Sequence, residues 1–208
     1  MAGVHFKSME RRRKELMAKL YFKYGATGAS KSSIALQAKF NYEEKGQRVL
    51  LLKPRTGDDD IKMVQSRIGL TAPCHWVSEV IDADSNIISE QFDGITVVIV
   101  DDAQFLSKDQ VDALSVVVDD LEIPVMCFGL RTDFKGKFFE GSKRLMEIAD
   151  EITELKTMCW CGRKATFTAR YDDNGMIVDG EQMLSNSNIR YTAVCRKHYF
   201  AGKLTQYM

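Results

Sequence analysis

Residues 25–32 read Gly-Ala-Thr-Gly-Ala-Ser-Lys-Ser, a run of small residues that ends in a lysine and a hydroxyl. Phosphate-binding loops have a glycine, four residues, a second glycine, then Lys and Ser or Thr. Gly25, Lys31 and Ser32 fit this spacing, whereas Ser30 occupies the position of the second glycine. Such a loop aims backbone N–H groups and a helix N-terminus at phosphate, while the lysine reaches the outer phosphates and the hydroxyl holds Mg²⁺. The alternative is a plain Gly/Ser turn. The phosphate-loop interpretation predicts contacts from Gly25, Ala26, Thr27, Gly28, Ala29, Ser30, Lys31 and Ser32.

A pair of acidic residues follows a short apolar run. Residues 96–100 are Thr-Val-Val-Ile-Val, typical of a central parallel strand buried on both faces. Asp101, Asp102, Ala103 and Gln104 come next, at the end of the strand where open α/β sheets bind ligands. Asp101 can hold a magnesium-bound water, and Asp102 can face a reacting hydroxyl as general base. The alternative is a solvated acidic turn.

Three cysteines and one histidine have the types and spacing of a metal site. Cys159-x-Cys161 is followed much later by Cys195-x-x-His198. Three thiolates and an imidazole make a closed tetrahedral zinc set of the structural kind. The alternative is a group of buried structural cysteines with a surface histidine, a role that better suits Cys74 and Cys127. We expect no disulfide framework, because nothing in the sequence suggests secretion.

Composition excludes several classes of protein. The chain has 208 residues with 29 basic and 29 acidic side chains, so bulk attraction to nucleic acid or to an anionic membrane is not expected. Its apolar runs are too short to span a bilayer, and no signal peptide precedes the first strand. We therefore expect a cytoplasmic protein. Residues 1–16, with the basic run 11–14, have the character of an extension, and Met17 is a plausible alternative start.

Strands and helices are expected to alternate after the extension. Apolar runs predict strands at 19–24, 49–52, 96–100, 124–128 and 152–155, and helices at 32–45, after the capping box of Ser107 and Gln110, and at 145–149. Residues 134–141 are expected to form a loop. This order predicts an α/β, P-loop NTPase-like fold with a mostly parallel sheet flanked by helices. The expected division is an extension at 1–16, a nucleotide-binding domain at 17–157, and a small zinc-binding lobe with the C-terminal tail at 158–208.

Nine segments together resemble one family, the cytosolic-type (type II) thymidine kinases, whose small zinc lobe carries a lasso loop. The resemblance runs from about residue 17 to 199. The segments are 20–22, 25–32, 41–46, 66–70, 100–105, 129–134, 154–157, 159–165 and 195–199.

The resemblance implies transfer of the γ-phosphoryl of ATP to the 5′-hydroxyl of thymidine or deoxyuridine. It also implies Mg²⁺ with ATP, one structural Zn²⁺ and a homotetramer. Asp102 matches the position of the family's catalytic glutamate. The implied nucleoside contacts are Phe105, Leu130, Phe134, Phe139, Thr168, Gln182, Met183, Leu184, Ser185, Asn186 and Tyr191.

Several functional positions depart from the family pattern. Ser30 replaces the loop glycine, Thr27 a methionine near the base, and Asp102 the longer glutamate. Residues 55–60 lack the family's Asp-x-Arg, and residues 184–187 are Leu-Ser-Asn-Ser in place of Ile-Gly-Gly. A second hypothesis is therefore a catalytically impaired relative that serves as a nucleotide-binding regulatory or structural subunit.

Overall fold

The computed structural model describes residues 18–57, 60–182 and 188–205. Within them the chain forms strands, four α-helices and short 3₁₀ turns. The strands are β1 (Leu20–Tyr24), β2 (Val49–Lys53), β3 (Met63–Gln65), β4 (Thr71–Pro73), β5 (His75–Trp76), β6 (Val97–Val100), β7 (Val125–Gly129), β8 (Glu151–Glu154), β9 (Thr157–Met158), β10 (Lys164–Ala165), β11 (Phe167–Asp172), β12 (Gly175–Ile177) and β13 (Arg190–Val194). The helices are α1 (Lys31–Glu43), α2 (Lys108–Asp119), α3 (Glu140–Ile148) and α4 (Arg196–Phe200).

A six-stranded sheet in the order β5-β2-β6-β7-β1-β8 forms the centre of the fold. Every neighbouring pair in it is parallel, which confirms the predicted α/β class. The four residues of β6 are fully buried, as the continuous β-branched run predicted. Because all six strands run the same way, the residues that follow β1 and β6 meet at one edge of the sheet.

Helices cover both faces of this sheet. One face packs against α2 and α3 through a core that includes Phe22, Leu114 and Leu145, and the other packs against α1 through Ala35 and Phe128. The predicted capping box starts α2, since the Ser107 hydroxyl accepts from the Gln110 N–H at 3.1 Å and the Gln110 side chain accepts in return.

Helix α3 begins earlier than the sequence predicted. We expected a loop through residue 141, whereas the helix starts at Glu140. Gly141 was interpreted as a loop residue, but it lies in the first turn of the helix. Glycine is needed there because a Cβ would lie 2.6 Å from the Ala103 carbonyl oxygen and 2.7 Å from that of Leu106. Its missing side chain lets α3 approach the segment that follows β6.

The C-terminal part has its own small core. A β9–β10 hairpin, an antiparallel sheet in the order β12-β11-β13 and the short α4 surround buried residues that include Ala169, Val194 and Leu204. In the part of the chain that the structure describes, no helix combines the length and apolarity needed to cross a membrane.

Candidate phosphoryl-transfer site and metal centre

The loop between β1 and α1 is fixed to the sheet by its first residue. The Gly25 N–H donates to the Gly129 carbonyl at the end of β7. A Cβ at this position would lie 2.5 Å from the Leu155 carbonyl oxygen, so only glycine fits so close to the chain leaving β8. Helix α1 starts at Lys31, and first-turn N–H groups have no intrahelical acceptor. The loop thus has the strand–turn–helix context that the phosphate-loop pattern requires.

Ser30 has a left-handed backbone, with φ 57° and ψ 23°. The position where the motif usually has glycine therefore keeps a glycine-like conformation, although a serine occupies it. Gly28 is also left-handed, with φ +73°. For a residue with a Cβ this conformation costs about 1–2 kcal/mol. The Ser30 side chain is exposed and lines the cleft above the loop.

Lys31 lies along the inside of this loop. Its Nζ donates to the carbonyl oxygens of Ala26 at 3.0 Å and Gly25 at 3.4 Å. Burial lowers the pKa of Lys31 to about 8, the carboxylates of Asp102 and Asp101 oppose that shift, and the Arg67 guanidinium adds to it. The ammonium is thus partly desolvated, which strengthens its attraction to an anion.

Asp101 is buried directly after β6, with only 3% of its surface exposed. Its Oδ1 has no hydrogen-bond partner among the described residues. Burial, with the neighbouring Asp102 carboxylate, raises the pKa of Asp101 to about 6, while a hydrogen bond with Ser32 opposes the shift. A buried carboxylate oxygen without a partner, beside a hydroxyl, fits the oxygen ligands and bound waters that Mg²⁺ prefers.

Asp102 is positioned by its backbone and by Gln104. Its φ of 51° is left-handed, a conformation that aspartate tolerates better than most residues. Gln104 Nε2 donates to Asp102 Oδ1 at 3.1 Å, and Gln104 Oε1 accepts from the Leu130 N–H at 2.9 Å. Buried Gln104 therefore links the acid to the chain that follows β7.

Five of the eight predicted loop residues share one cleft of about 340 Å³ with Asp102, whereas Asp101 lines a neighbouring cavity that Asp102 also borders. The lining of the shared cleft includes Thr27, Gly28, Ser30, Lys31, Ser32, Arg67, Asp102 and Leu130. The partly desolvated Lys31 ammonium, the exposed Arg67 guanidinium, the N-terminal amides of α1 and the Asp102 carboxylate thus face one volume. This arrangement can bind phosphate and accept a proton beside it.

Of the implied nucleoside contacts, Leu130 lines this cleft, whereas Phe105, Phe134 and Phe139 are not among its lining residues. Phe105 and Phe139 meet edge to face, with ring centroids 5.5 Å apart. Phe134 and Phe139 are buried, and the Leu130 carbonyl accepts from the Ser142 hydroxyl. These contacts extend from the acid-bearing segment to the start of α3.

A fully buried arginine that sequence reasoning missed supports Phe134. The Arg170 guanidinium carbon lies 3.5 Å from the centroid of the Phe134 ring. The same group donates to the carbonyls of Glu181 (2.6 Å) and Asp179 (3.0 Å). The sequence does hold an indication of this buried arginine, because Arg170 is the charged residue in the otherwise apolar and hydroxyl-bearing segment 167–171.

Buried Asp133, on the chain that follows β7, binds Gln182 beside the Glu181 carbonyl that Arg170 contacts. It accepts from the N–H groups of Lys135 and Lys137 and from the Gln182 side-chain amide, each at 2.9 Å. Gln182 is therefore held by a carboxylate that sequence reasoning did not single out. Met183, Leu184, Ser185 and Asn186 lie outside the described residues.

Thr168 and Tyr191 lie on adjacent strands of the small lobe. Thr168 is buried, and its Oγ1 accepts from the Thr27 N–H of the phosphate loop at 3.0 Å. Tyr191 is half-buried on β13, opposite Arg170 on β11. Since the Thr168 hydroxyl holds the loop backbone, the residue expected to contact nucleoside also joins the lobe to the sheet.

The predicted metal ligands come together in the lobe. The ligand atoms of Cys159, Cys161, Cys195 and His198 all lie within 4.8 Å of one another. Cys159 Sγ is 3.3 Å from His198 Nδ1, and the Sγ atoms of Cys161 and Cys195 are 3.9 Å apart. Bond lengths of about 2.3 Å to sulfur and about 2.0 Å to nitrogen place tetrahedral ligands at roughly such separations. This set can hold a metal ion.

Two further contacts surround the metal cluster. The Trp160 ring stacks on the His198 ring with centroids 4.2 Å apart. From α4, the Tyr199 hydroxyl donates to the Phe134 carbonyl. The helix that carries one metal ligand therefore also holds the aromatic loop beside the cleft.

Comparison with known proteins gives one consistent result. A family model described as "Thymidine kinase" matches residues 18–199. A thymidine kinase of Vibrio vulnificus is 45% identical over 190 residues, covering 88% of this chain and 97% of the relative. One of Coxiella burnetii is 44% identical over 198 residues (91% and 99%), and one of Salmonella typhimurium is 45% identical over 186 (88% and 91%).

Proposed function

Since the chain belongs to the thymidine kinase family, we propose that it transfers the γ-phosphoryl group of ATP to the 5′-hydroxyl of thymidine or deoxyuridine. The products are ADP and the nucleoside 5′-monophosphate. Family membership supports the substrates, and the shared cleft of phosphate loop and acid supports the reaction type.

Asp102 acts as the general base of this reaction. Its carboxylate takes the proton of the 5′-hydroxyl as that oxygen bonds to the γ-phosphorus. The bond from phosphorus to the β–γ bridging oxygen breaks, and its electron pair leaves with ADP. The hydrogen bond from Gln104 orients the carboxylate and leaves its second oxygen for the hydroxyl. Because aspartate is one methylene shorter than glutamate, the nucleoside must approach closer to the strand end.

ATP is held by the loop at 25–32 together with the segment Asp101, Asp102, Ala103 and Gln104. Lys31 neutralises charge on the outer phosphates, and the N-terminal amides of α1 bind their oxygens. Asp101 and Ser32 are the residues that would hold Mg²⁺, which when bound neutralises phosphate charge and aligns the transferred group. The Asp101 Oδ1, which has no hydrogen-bond partner in the described part of the chain, supports this assignment.

The nucleoside lies between the aromatic residues and the small lobe. Phe105, Leu130, Phe134 and Phe139 pack against its base and sugar, while Thr168 and Tyr191 close the lobe side. Gln182 and residues 183–186 meet the edge of the base. The support for this pocket is that Leu130, which lines the cleft, accepts a hydrogen bond from Ser142 of α3, and that Phe105 packs against Phe139 at the start of that helix.

The metal in the lobe is proposed to be a structural zinc on Cys159, Cys161, Cys195 and His198. Three thiolates and one imidazole leave no open position, so the ion serves folding rather than chemistry. The separate core of the lobe supports a boundary between a nucleotide-binding domain at 17–157 and a zinc lobe at 158–208, whereas the proposed extension at 1–16 lies outside the described residues.

A homotetramer in the cytoplasm completes the proposal. Exposed Phe40, Ile68 and Leu70 line an apolar groove between α1 and the β3–β4 hairpin, which suits burial between copies of the chain. Light scattering of the purified chain measures the assembly, and a monomer at micromolar concentration would contradict it.

The observation that carries the proposal is Asp102 facing the same cleft as Lys31 and Ser32 in a chain of this family. The test incubates the purified chain with ATP, Mg²⁺ and labelled thymidine or deoxyuridine, with deoxyadenosine as control nucleoside. We expect labelled monophosphate from the first two only, and none without ATP. Tight ATP binding without product from either would favour the impaired-subunit hypothesis.

A further inference from the structure

The guanidinium of Arg67 lies over the phosphate loop and has no role in the reaction described above. Arg67 is at the turn between β3 and β4, in the segment where the Ser66 hydroxyl accepts from the Leu70 N–H and the Gly69 N–H donates to the Ser66 carbonyl. These bonds close the turn tightly, so the hairpin delivers the arginine to a defined place. That place is the cleft lined by Lys31, Ser32 and Asp102.

The contacts of Arg67 are with the loop itself. Its Nη2 donates to the Thr27 hydroxyl at 2.7 Å, and its Nη1 lies 3.7 Å from where a Cβ of Gly28 would be. The guanidinium therefore lies directly over the two residues that precede the turn into α1. A guanidinium has five N–H donors, so a single bond to a hydroxyl leaves most of them free for another acceptor.

The charge around Arg67 is also unbalanced. Within residues 18–57, 60–182 and 188–205, no carboxylate forms an ion pair with Arg67, whereas exposed Arg55 pairs with Asp60 and Arg190 with Asp173. The Arg67 guanidinium contributes to lowering the pKa of Lys31, so two cations share the cleft with one lining carboxylate, that of Asp102. Two cations sharing one cleft repel each other, and an anion placed between them would relieve that repulsion.

We propose that Arg67 is a phosphate ligand of the bound nucleotide, contacting the outer phosphates from the side of the cleft opposite Lys31, with the Thr27 hydroxyl positioning its guanidinium. The proposal rests on the proposed function in taking ATP as the nucleotide. Arginine suits this position because its planar fork can bind two oxygens of one phosphate, which a lysine cannot. Thr27, which departs from the family pattern, thereby becomes a positioning residue for Arg67.

The test measures binding of MgATP, MgADP and AMP by calorimetry to the full chain, without nucleoside. We expect Arg67→Ala to weaken ATP about 10- to 100-fold, the usual value of a hydrogen-bonded charge, and AMP by less than about twofold. Arg67→Lys should recover part of the ATP affinity. Thr27→Val, which keeps the shape but not the hydroxyl, should weaken ATP about three- to tenfold in the parent and have no further effect in Arg67→Ala.

The matched control is Arg48→Ala, which removes the same charge from a surface arginine that donates to the Asp93 carbonyl outside the cleft. It should leave all three affinities unchanged. An Arg67→Ala variant that binds ATP as tightly as the parent would overturn the proposal. So would equal losses for ATP and AMP, since they would indicate a disturbed loop rather than a lost phosphate contact.

Failure of the proposed function would give a different pattern. A chain that binds ATP through Arg67 but forms no monophosphate from thymidine or deoxyuridine would refute the kinase activity and leave the phosphate contact standing. Normal turnover of the parent chain, together with unchanged ATP affinity in Arg67→Ala, would support the kinase activity and refute the phosphate contact.

Discussion

The two sides of the cleft are held in place by different means. On the sheet side, the residues proposed to act on phosphate follow β1 and β6 in tight turns, and both Ser30 and Asp102 have left-handed backbones. On the lobe side, side chains do the positioning: a cluster of metal ligands and a buried arginine within the lobe, and buried Asp133 of the sheet domain, which holds Gln182. Backbone strain is worth about 1–3 kcal/mol per residue, whereas metal ligation is worth far more.

This difference predicts how each side responds to substitution. The sheet side is part of a large core, so a change there should alter chemistry while the fold survives. The lobe has a small core and depends on its polar ties, so a change there should alter folding first and substrate binding as a result. Contacts such as the hydrogen bonds from the Thr27 N–H to Thr168 and from the Tyr199 hydroxyl to the Phe134 carbonyl can transmit a change from one side to the other.

Loss of a metal ligand should have the largest effect. Cys161→Ala leaves three ligands, and structural zinc supplies about 10–16 kcal/mol in small zinc domains, so the lobe should unfold. We expect metal content to fall from one zinc per chain to well below it, with loss of thymidine binding and retention of the sheet by circular dichroism. Cys127→Ala, a buried cysteine outside the cluster, should keep its metal.

A parent protein that contains well under one zinc per chain, when purified without chelator, would contradict the assignment of the metal. An unfolded sheet in Cys161→Ala would contradict the independence of the two sides.

Asp102→Asn should give the second largest effect and confine it to chemistry. The amide has the shape of the carboxylate but cannot accept the hydroxyl proton, and a general base contributes about 10²- to 10⁴-fold to rate. We expect turnover to fall by that factor, with ATP affinity and melting temperature close to those of the parent. Asp84→Asn, in an exposed turn, is the matched control. Parental turnover in Asp102→Asn would show that another group is the base.

Arg170→Lys probes the lobe side without touching the metal. Lysine keeps the charge but loses the flat contact with Phe134 and one of the two carbonyl bonds, and disturbing a buried charge costs about 2–4 kcal/mol. We expect lower thermal stability and a KM for thymidine raised about tenfold, with a smaller change in kcat. Arg190→Lys, on the neighbouring exposed strand position, should change neither. A changed kcat with unchanged KM would contradict a role in positioning the nucleoside pocket.

The sequence predicted the sheet side more fully than the lobe side, for physical reasons. Buried parallel strands have apolar sequences, so β1, β2, β6 and β7 were expected, and metal ligands are recognisable by type and spacing. The edge strand β8 was also predicted, although three of its four residues are exposed. Arg170 and Asp133 were missed because their partners are carbonyls, amides and a ring face, which leave no spacing pattern. The start of α3 was wrong because Gly141 signals a loop locally but serves close packing in the fold.

Ser30→Gly should give the smallest effect and is the most sensitive test of strain on the sheet side. With φ at 57°, glycine relieves about 1 kcal/mol of strain but adds a similar conformational entropy to the unfolded chain, so stability should change little. The exposed hydroxymethyl group leaves the cleft, so ATP should bind a few fold more tightly and turnover should rise. Ser85→Gly shares the positive φ, at 63°, but does not line the cleft, so it isolates the backbone effect from the ligand effect. Calorimetric ATP affinity and the melting temperature, measured for Ser30→Gly and Ser85→Gly, separate the backbone effect from the ligand effect. Equal changes in the two variants would mean that Ser30 acts on folding alone. Unchanged or weaker ATP binding in Ser30→Gly would refute the view that the Ser30 side chain hinders the nucleotide.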